Sequence, residues 1–138
     1  MANTLVIIPC GQGKIWDKQP DAGAVEAQYA YTGGPFKVNK EYAECMADRW
    51  VILSAKYGFI DPDYMIPGPY NISFKKKSSG PVSMDILISQ IKDINLNIYE
   101  RVIGLGGKEY RAMMEAAFSH YDITPSFPFS GLPIGKAM

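Results

Sequence analysis

The sequence predicts a single three-layer α/β domain over residues 1–138, with a mainly parallel sheet of about four strands. Leu5-Val6-Ile7-Ile8, Trp50 to Ser54 and Arg101 to Leu105 are short, mostly apolar and rich in β-branched residues, as buried parallel strands are. Each run ends at a segment containing glycine, and the stretches between them carry helical patterning. The resulting order, β-α-α-β-loop-α-β-α-β, is that of a sheet covered by helices on both faces.

After the first strand, Pro9-Cys10-Gly11-Gln12-Gly13-Lys14 breaks the pattern, and Ile15 to Gly23 reads as loop. Ala24 to Tyr31 has helix formers and is expected to be a short helix, stopped by Thr32-Gly33-Gly34-Pro35. Phe36 to Asp48 is expected to be a second helix, with Tyr42, Cys45, Met46 and Arg49 at one spacing-defined face. Ala55 to Pro81 reads as a long loop, which is uncommon unless it has a function. Ser83 is an N-cap candidate for a helix running to about Asn95, with Met84, Leu87, Ile88 and Ile91 inward. Gly106-Gly107 then leads into a helix from Lys108 to about His120, with Tyr110, Met113, Met114 and Ala117 inward. Ile123-Thr124-Pro125 is the candidate final strand, and a last helix is expected to start at Leu132.

Composition narrows the function. Apolar residues make up 47% and charged residues 20%, and the formal net charge is zero. Such a chain has no global field drawing it to a phosphate backbone. Lys75-Lys76-Lys77 reads either as a solvated loop or as a local basic patch, and through the latter nucleic acid stays among the expected partners. With two cysteines, Cys10 and Cys45, without a C-x-x-C, and with His120 as the single histidine, neither a metal nor another cofactor is expected. Neither a signal peptide nor a membrane span is evident, so a cytoplasmic location without membrane partners is expected. The oligomeric state is not readable.

Candidate site residues gather after the strands, where open α/β sheets bind ligands. The Cys10-Gly11 loop resembles a phosphate loop but lacks the spacing of either nucleotide fingerprint. Its glycines still allow close backbone approach, and Cys10 reads as a buried structural thiol or a nucleophile. After the second strand come Ser54, Lys56 and Tyr57, then Asp61-Pro62-Asp63, which reads as turn chemistry or as two site carboxylates. Tyr70 and Asn71 follow a Pro/Gly-stiffened stretch and suit stacking and base-edge recognition. Gly106-Gly107, with Tyr110 and Arg111 in the next turn, reads as an anion site or as a tight turn. Tyr29, Tyr31, Tyr57 and Trp16 are aromatic walls or core.

These blocks in their order, Pro9-Cys10-Gly11, Tyr31-Thr32-Gly33 with Pro35-Phe36, Leu53 to Gly58, Asp61-Pro62 with Tyr70-Asn71, Gly106-Gly107 with Tyr110-Arg111, and Gly131-Leu132 with Ile134-Gly135, resemble the YaaA-like domains of unknown function. The block from Leu53 to Asn71 also resembles, distantly, an accessory domain of archaeal tRNA-guanine transglycosylases. That resemblance implies a nucleobase, nucleoside or nucleotide ligand and chemistry at an N-glycosidic bond. On this reading Asp61 or Asp63 is catalytic, and Cys10, Gly11, Ser54, Lys56, Tyr70, Asn71, Gly106, Gly107, Tyr110 and Arg111 bind substrate. The alternative is a noncatalytic nucleotide- or nucleic-acid-binding module using the same pocket.

Overall fold

The computed structural model describes residues 3–129. In chain order the strands are β1 (Thr4–Pro9), β2 (Val25–Glu26), β3 (Arg49–Ser54), β4 (Gly58–Ile60), β5 (Met65–Ile66) and β6 (Arg101–Gly104). The helices are α1 (Ala27–Ala30), α2 (Gly34–Met46), α3 (Met84–Asp93) and α4 (Lys108–Ser119). Four strands form one sheet in the order β4-β3-β1-β6, in which β1 is parallel to both β3 and β6, and β4 is antiparallel to β3. The fold is therefore the α/β sheet that the apolar runs predict.

Both faces of this sheet are buried, which explains why its strands are continuously apolar. Side chains alternate between the two faces. Val6, Ile8, Ile52 and Ile103 pack with Phe36 and Ala43 of α2. Leu5, Ile7, Val51, Leu53 and Val102 pack with Leu87 and Ile91 of α3 and Met114 and Phe118 of α4. The register Ile8↔Ile52 and Val6↔Ile103 keeps each set on its own side. α3 begins at the expected cap, with the Ser83 hydroxyl accepting from Ile86 N.

Several elements differ from the sequence expectation. Val25 and Glu26 pair antiparallel with Ile66 and Met65, so only one helical turn remains in the expected helix at 24–31. Their partner strand lies some forty residues further along, which local patterning does not see. In α2 the buried residues are Phe36, Asn39 and Ala43, while Cys45 and Met46 are exposed and Arg49 belongs to β3. The helix approaches β1 through the small Ala43, so close approach, not side-chain size, sets its inner face. The expected loop from Ala55 to Pro81 contains β4 and β5. Gly58, at φ 77°, turns the chain so that Gly58, Phe59 and Ile60 lie beside Ser54, Leu53 and Ile52. The fourth strand of the sheet is thus β4. Residues 123–125 do not form it, and only Ser126 makes an isolated parallel bridge, to Ile103. The helix expected from Leu132 and the block Gly131-Leu132 with Ile134-Gly135 lie outside the described residues.

Candidate functional site

β1 lies between β3 and β6, and the loops after β1 and β6 lead to opposite faces of the sheet. This is a topological switch point, where the strand ends leave a crevice. Gly106 lines it at φ 114°, with the Pro9 ring so close that a Cβ would stand 2.8 Å from Pro9 Cγ. Cys10 and Tyr110 meet across it, with Sγ and Oη 3.3 Å apart.

A chain of hydroxyls runs from the end of β3. Ser54 is fully buried, and its Oγ accepts from the backbone N–H groups of Lys56 (3.2 Å) and Tyr57 (3.1 Å). Both lone pairs are then used, so the Ser54 hydrogen goes to Tyr70 Oη, 2.9 Å away. Tyr70 Oη is in turn 2.5 Å from Tyr31 Oη. One phenolic hydrogen lies between those two oxygens, and the other has no acceptor among the described residues. Burial raises the Tyr31, Tyr70 and Tyr110 phenols above their ordinary range, and their electrostatic interaction with the neighbouring Cys10 raises them further. All three are neutral donors at pH 7.

Two ammonium groups flank Tyr70. Lys14 Nζ lies 4.5 Å from its ring centroid and Lys56 Nζ 5.5 Å. Lys14 is only 7% exposed, and its ammonium donates to Gln12 O at 3.0 Å. The nearest acidic side chain in sequence, Asp17, accepts instead from the Lys14 backbone N–H. The Tyr57 ring stands edge-on to Tyr70 at 5.5 Å. Lys14, Tyr31, Ser54, Tyr70, Cys10 and Tyr110 thus form a polar cluster at the sheet end, walled by aromatic rings.

The structure brings together most, not all, of the sequence candidates. Cys10, Ser54, Tyr70 and Tyr110 converge, with Gly11, Gly106 and Gly107 in the flanking loops and the exposed Lys56 over Tyr70 and Tyr57. Asn71 is exposed beside Tyr70, and Arg111 is half-buried in the first turn of α4. Asp61 follows β4, which runs back along β3 away from Ser54, and its carboxylate pairs with Arg49 at 3.0 Å. Asp63 is exposed in the adjoining turn. Neither makes a hydrogen bond to the cluster.

Sequence reading omitted two contributors. Lys14 was visible as the last residue of the glycine loop, but its burial depends on Tyr70, more than fifty residues away. Glu109 turns back toward the loop before α4, with Oε2 3.9 Å from where a Gly107 side chain would begin, and its charge reaches Tyr110. It is the acidic side chain of the first turn of α4, next to Tyr110.

An open groove of about 440 Å³ runs along α1 and α2, lined by Tyr29, Lys37, Lys40, Glu41 and Glu44 among others, and touches the cluster through Tyr31. Lys37 and Glu41, like Lys40 and Glu44, are four residues apart, and Lys40 lies over Tyr29 at 4.7 Å. This is the pattern of a solvated helix face. The switch-point crevice is therefore the better candidate site.

Residues 5–138 match the family of unknown function DUF6884. The chain belongs to that family. It is also 40% identical over 117 residues to an uncharacterized protein, YfjM, of Bacillus subtilis (strain 168), covering 85% of this chain and 78% of YfjM. No solved structure matches. Among the described residues no helix is long and apolar enough to cross a membrane, and no three metal-ligating side chains gather.

Proposed function

We propose that this DUF6884 chain is a small enzyme acting on a nucleobase, nucleoside or nucleotide at its N-glycosidic bond. The carrying observation is the Ser54–Tyr70–Tyr31 hydroxyl chain, in which one phenolic hydrogen has no acceptor among the described residues, beside aromatic rings. The Tyr57 and Tyr70 rings suit the face of a base. The unmatched donor suits a ring nitrogen or carbonyl oxygen on which charge develops as the base departs. The resemblance of the sequence blocks to YaaA-like domains and to the transglycosylase accessory domain leans the same way.

In hydrolysis the water oxygen bonds to the anomeric carbon and the bond to the base nitrogen breaks. Its electron pair leaves with the base, and the water proton ends on the base. The raised phenols hold their hydrogens throughout and stabilise the leaving group by hydrogen bonding. A carboxylate is needed to activate the water. Glu109 has the best placement for that role. Asp61 would first have to leave Arg49, and Asp63 would have to swing in from solvent.

The test is release of free base, read by mass spectrometry, from a pool of nucleosides, nucleotides, DNA and tRNA. Release that is lost in E109Q and Y70F and kept in D61N and D63N supports this reading. Loss in D61N or D63N alone would return the acid-base role to the 61–63 loop. The second reading, a binding module without turnover, draws on one observation: among the described residues no carboxylate is hydrogen-bonded to the hydroxyls, thiol or ammonium of the cluster. Binding without release from any substrate would establish it.

A further inference from the structure

We infer that Lys14 and the loop Gly11-Gln12-Gly13 form an anion subsite, and that the ligand of the crevice carries a phosphate. This rests on the nucleotide reading above and narrows it from nucleosides in general to nucleotides. Lys14 is the buried charged side chain of the cluster. Burying an ammonium without a counter-charge is costly, and the fold leaves it in that state among the described residues. One of its three N–H donors goes to Gln12 O, and the ring of Tyr70 faces the group at 4.5 Å. Neither partner is negative. Lys56 adds a second ammonium over the same ring, also without an ion pair among the described residues.

The backbone around Lys14 is built to hold it there. Thr32 N donates to Gly13 O at 3.0 Å, and Lys14 bridges to Tyr31 in antiparallel fashion. The loop is thereby fixed against the start of α2, a 13-residue helix whose N-cap, Gly33, provides no side-chain cap. A Cβ at Gly13 would stand in ordinary van der Waals contact with Thr32 Oγ1 and Gly33 N, at 3.4 and 3.5 Å, so the loop lies directly against the start of α2. Gly11, at φ 76°, has open space around it. A phosphate here would supply the missing counter-charge to Lys14 and accept from backbone N–H groups, while its base lies toward Tyr70 and Tyr57.

The experiment is isothermal titration calorimetry of the intact protein and of Lys14→Met with each common nucleoside and its 5′-monophosphate. Inorganic phosphate is added as a third probe by thermal shift. The wild type is expected to bind a monophosphate about tenfold or more tighter than its nucleoside, and K14M to lose that preference. Equal wild-type affinity for nucleoside and monophosphate would overturn the subsite and leave the nucleoside reading standing. A phosphate-induced rise in melting temperature that K14M abolishes, without nucleoside or nucleotide binding, would uphold the subsite and remove the nucleotide reading. If K14M does not fold, the wild-type preference and its loss at high salt decide alone.

Discussion

At the scale of single residues, Tyr70 joins the two parts of the site, since its hydroxyl receives the Ser54 hydrogen and its ring meets two lysines. Tyr70→Phe keeps the ring and strands the buried Ser54 donor, so it is expected to destabilise the fold by about 1–3 kcal/mol. Chemical denaturation measures that, and ligand binding is expected to weaken in parallel. Asp61→Asn is expected to cost about 1 kcal/mol, because its ion pair with Arg49 is partly open to solvent. The phenols give a pH prediction with a definite sign. A phenol raised in the folded state keeps its proton where the unfolded chain loses it. Its stabilising effect is complete below about pH 10 and is lost as pH climbs toward the folded value. Stability is therefore expected to fall above about pH 10, by up to about 1.4 kcal/mol per pH unit per phenol. The alkaline slope should shrink in the Phe variants of Tyr31, Tyr70 and Tyr110.

At the scale of elements, β4 is the part the sequence conceals. Its three residues look like loop, and their edge is completed by a side chain from α3: Gln90 Oε1 accepts from Phe59 N and its Nε2 donates to Tyr57 O, both at 2.8 Å. Gln90→Leu removes both partners and is expected to destabilise by about 1–3 kcal/mol, with amide exchange accelerated first at Phe59. The long strands and the Ser83 cap were legible because their signals are local. The inner face of α2 was not, because Ala43 seats the helix and small residues carry little weight in a hydrophobic pattern. Gly106 shows the converse. A glycine after a strand is easy to notice, but that its φ is positive and that Pro9 fills the space of a side chain needs the fold. Gly106→Ala is expected to cost roughly 1–3 kcal/mol and to distort the crevice, a pairing that thermal melts and ligand titration check together.

At the scale of the whole molecule, strand order decides where chemistry is possible. With β1 between β3 and β6, the segments after all three strands meet at one end of the sheet, and residues as distant in sequence as Cys10, Ser54 and Tyr110 become neighbours. That position was legible in the polar loops that follow apolar runs. Which polar residues turn inward was not, since the hairpin of β3 and β4 carries Asp61 away from the strand end while Tyr70 returns to it. The charge balance also acquires a local meaning. A chain with zero net charge still concentrates two lysines, neither in an ion pair among the described residues, on one aromatic ring.

The central claim, that this crevice is where ligand binds, is tested most directly by amide chemical-shift mapping of the labelled protein during titration with nucleoside 5′-monophosphates. Shifts gathered at Gly11, Lys14, Ser54, Tyr70 and Gly106 are the expected result. Shifts confined to the α1–α2 groove, at Tyr29, Lys37 and Lys40, or to residues 61–65, would contradict it.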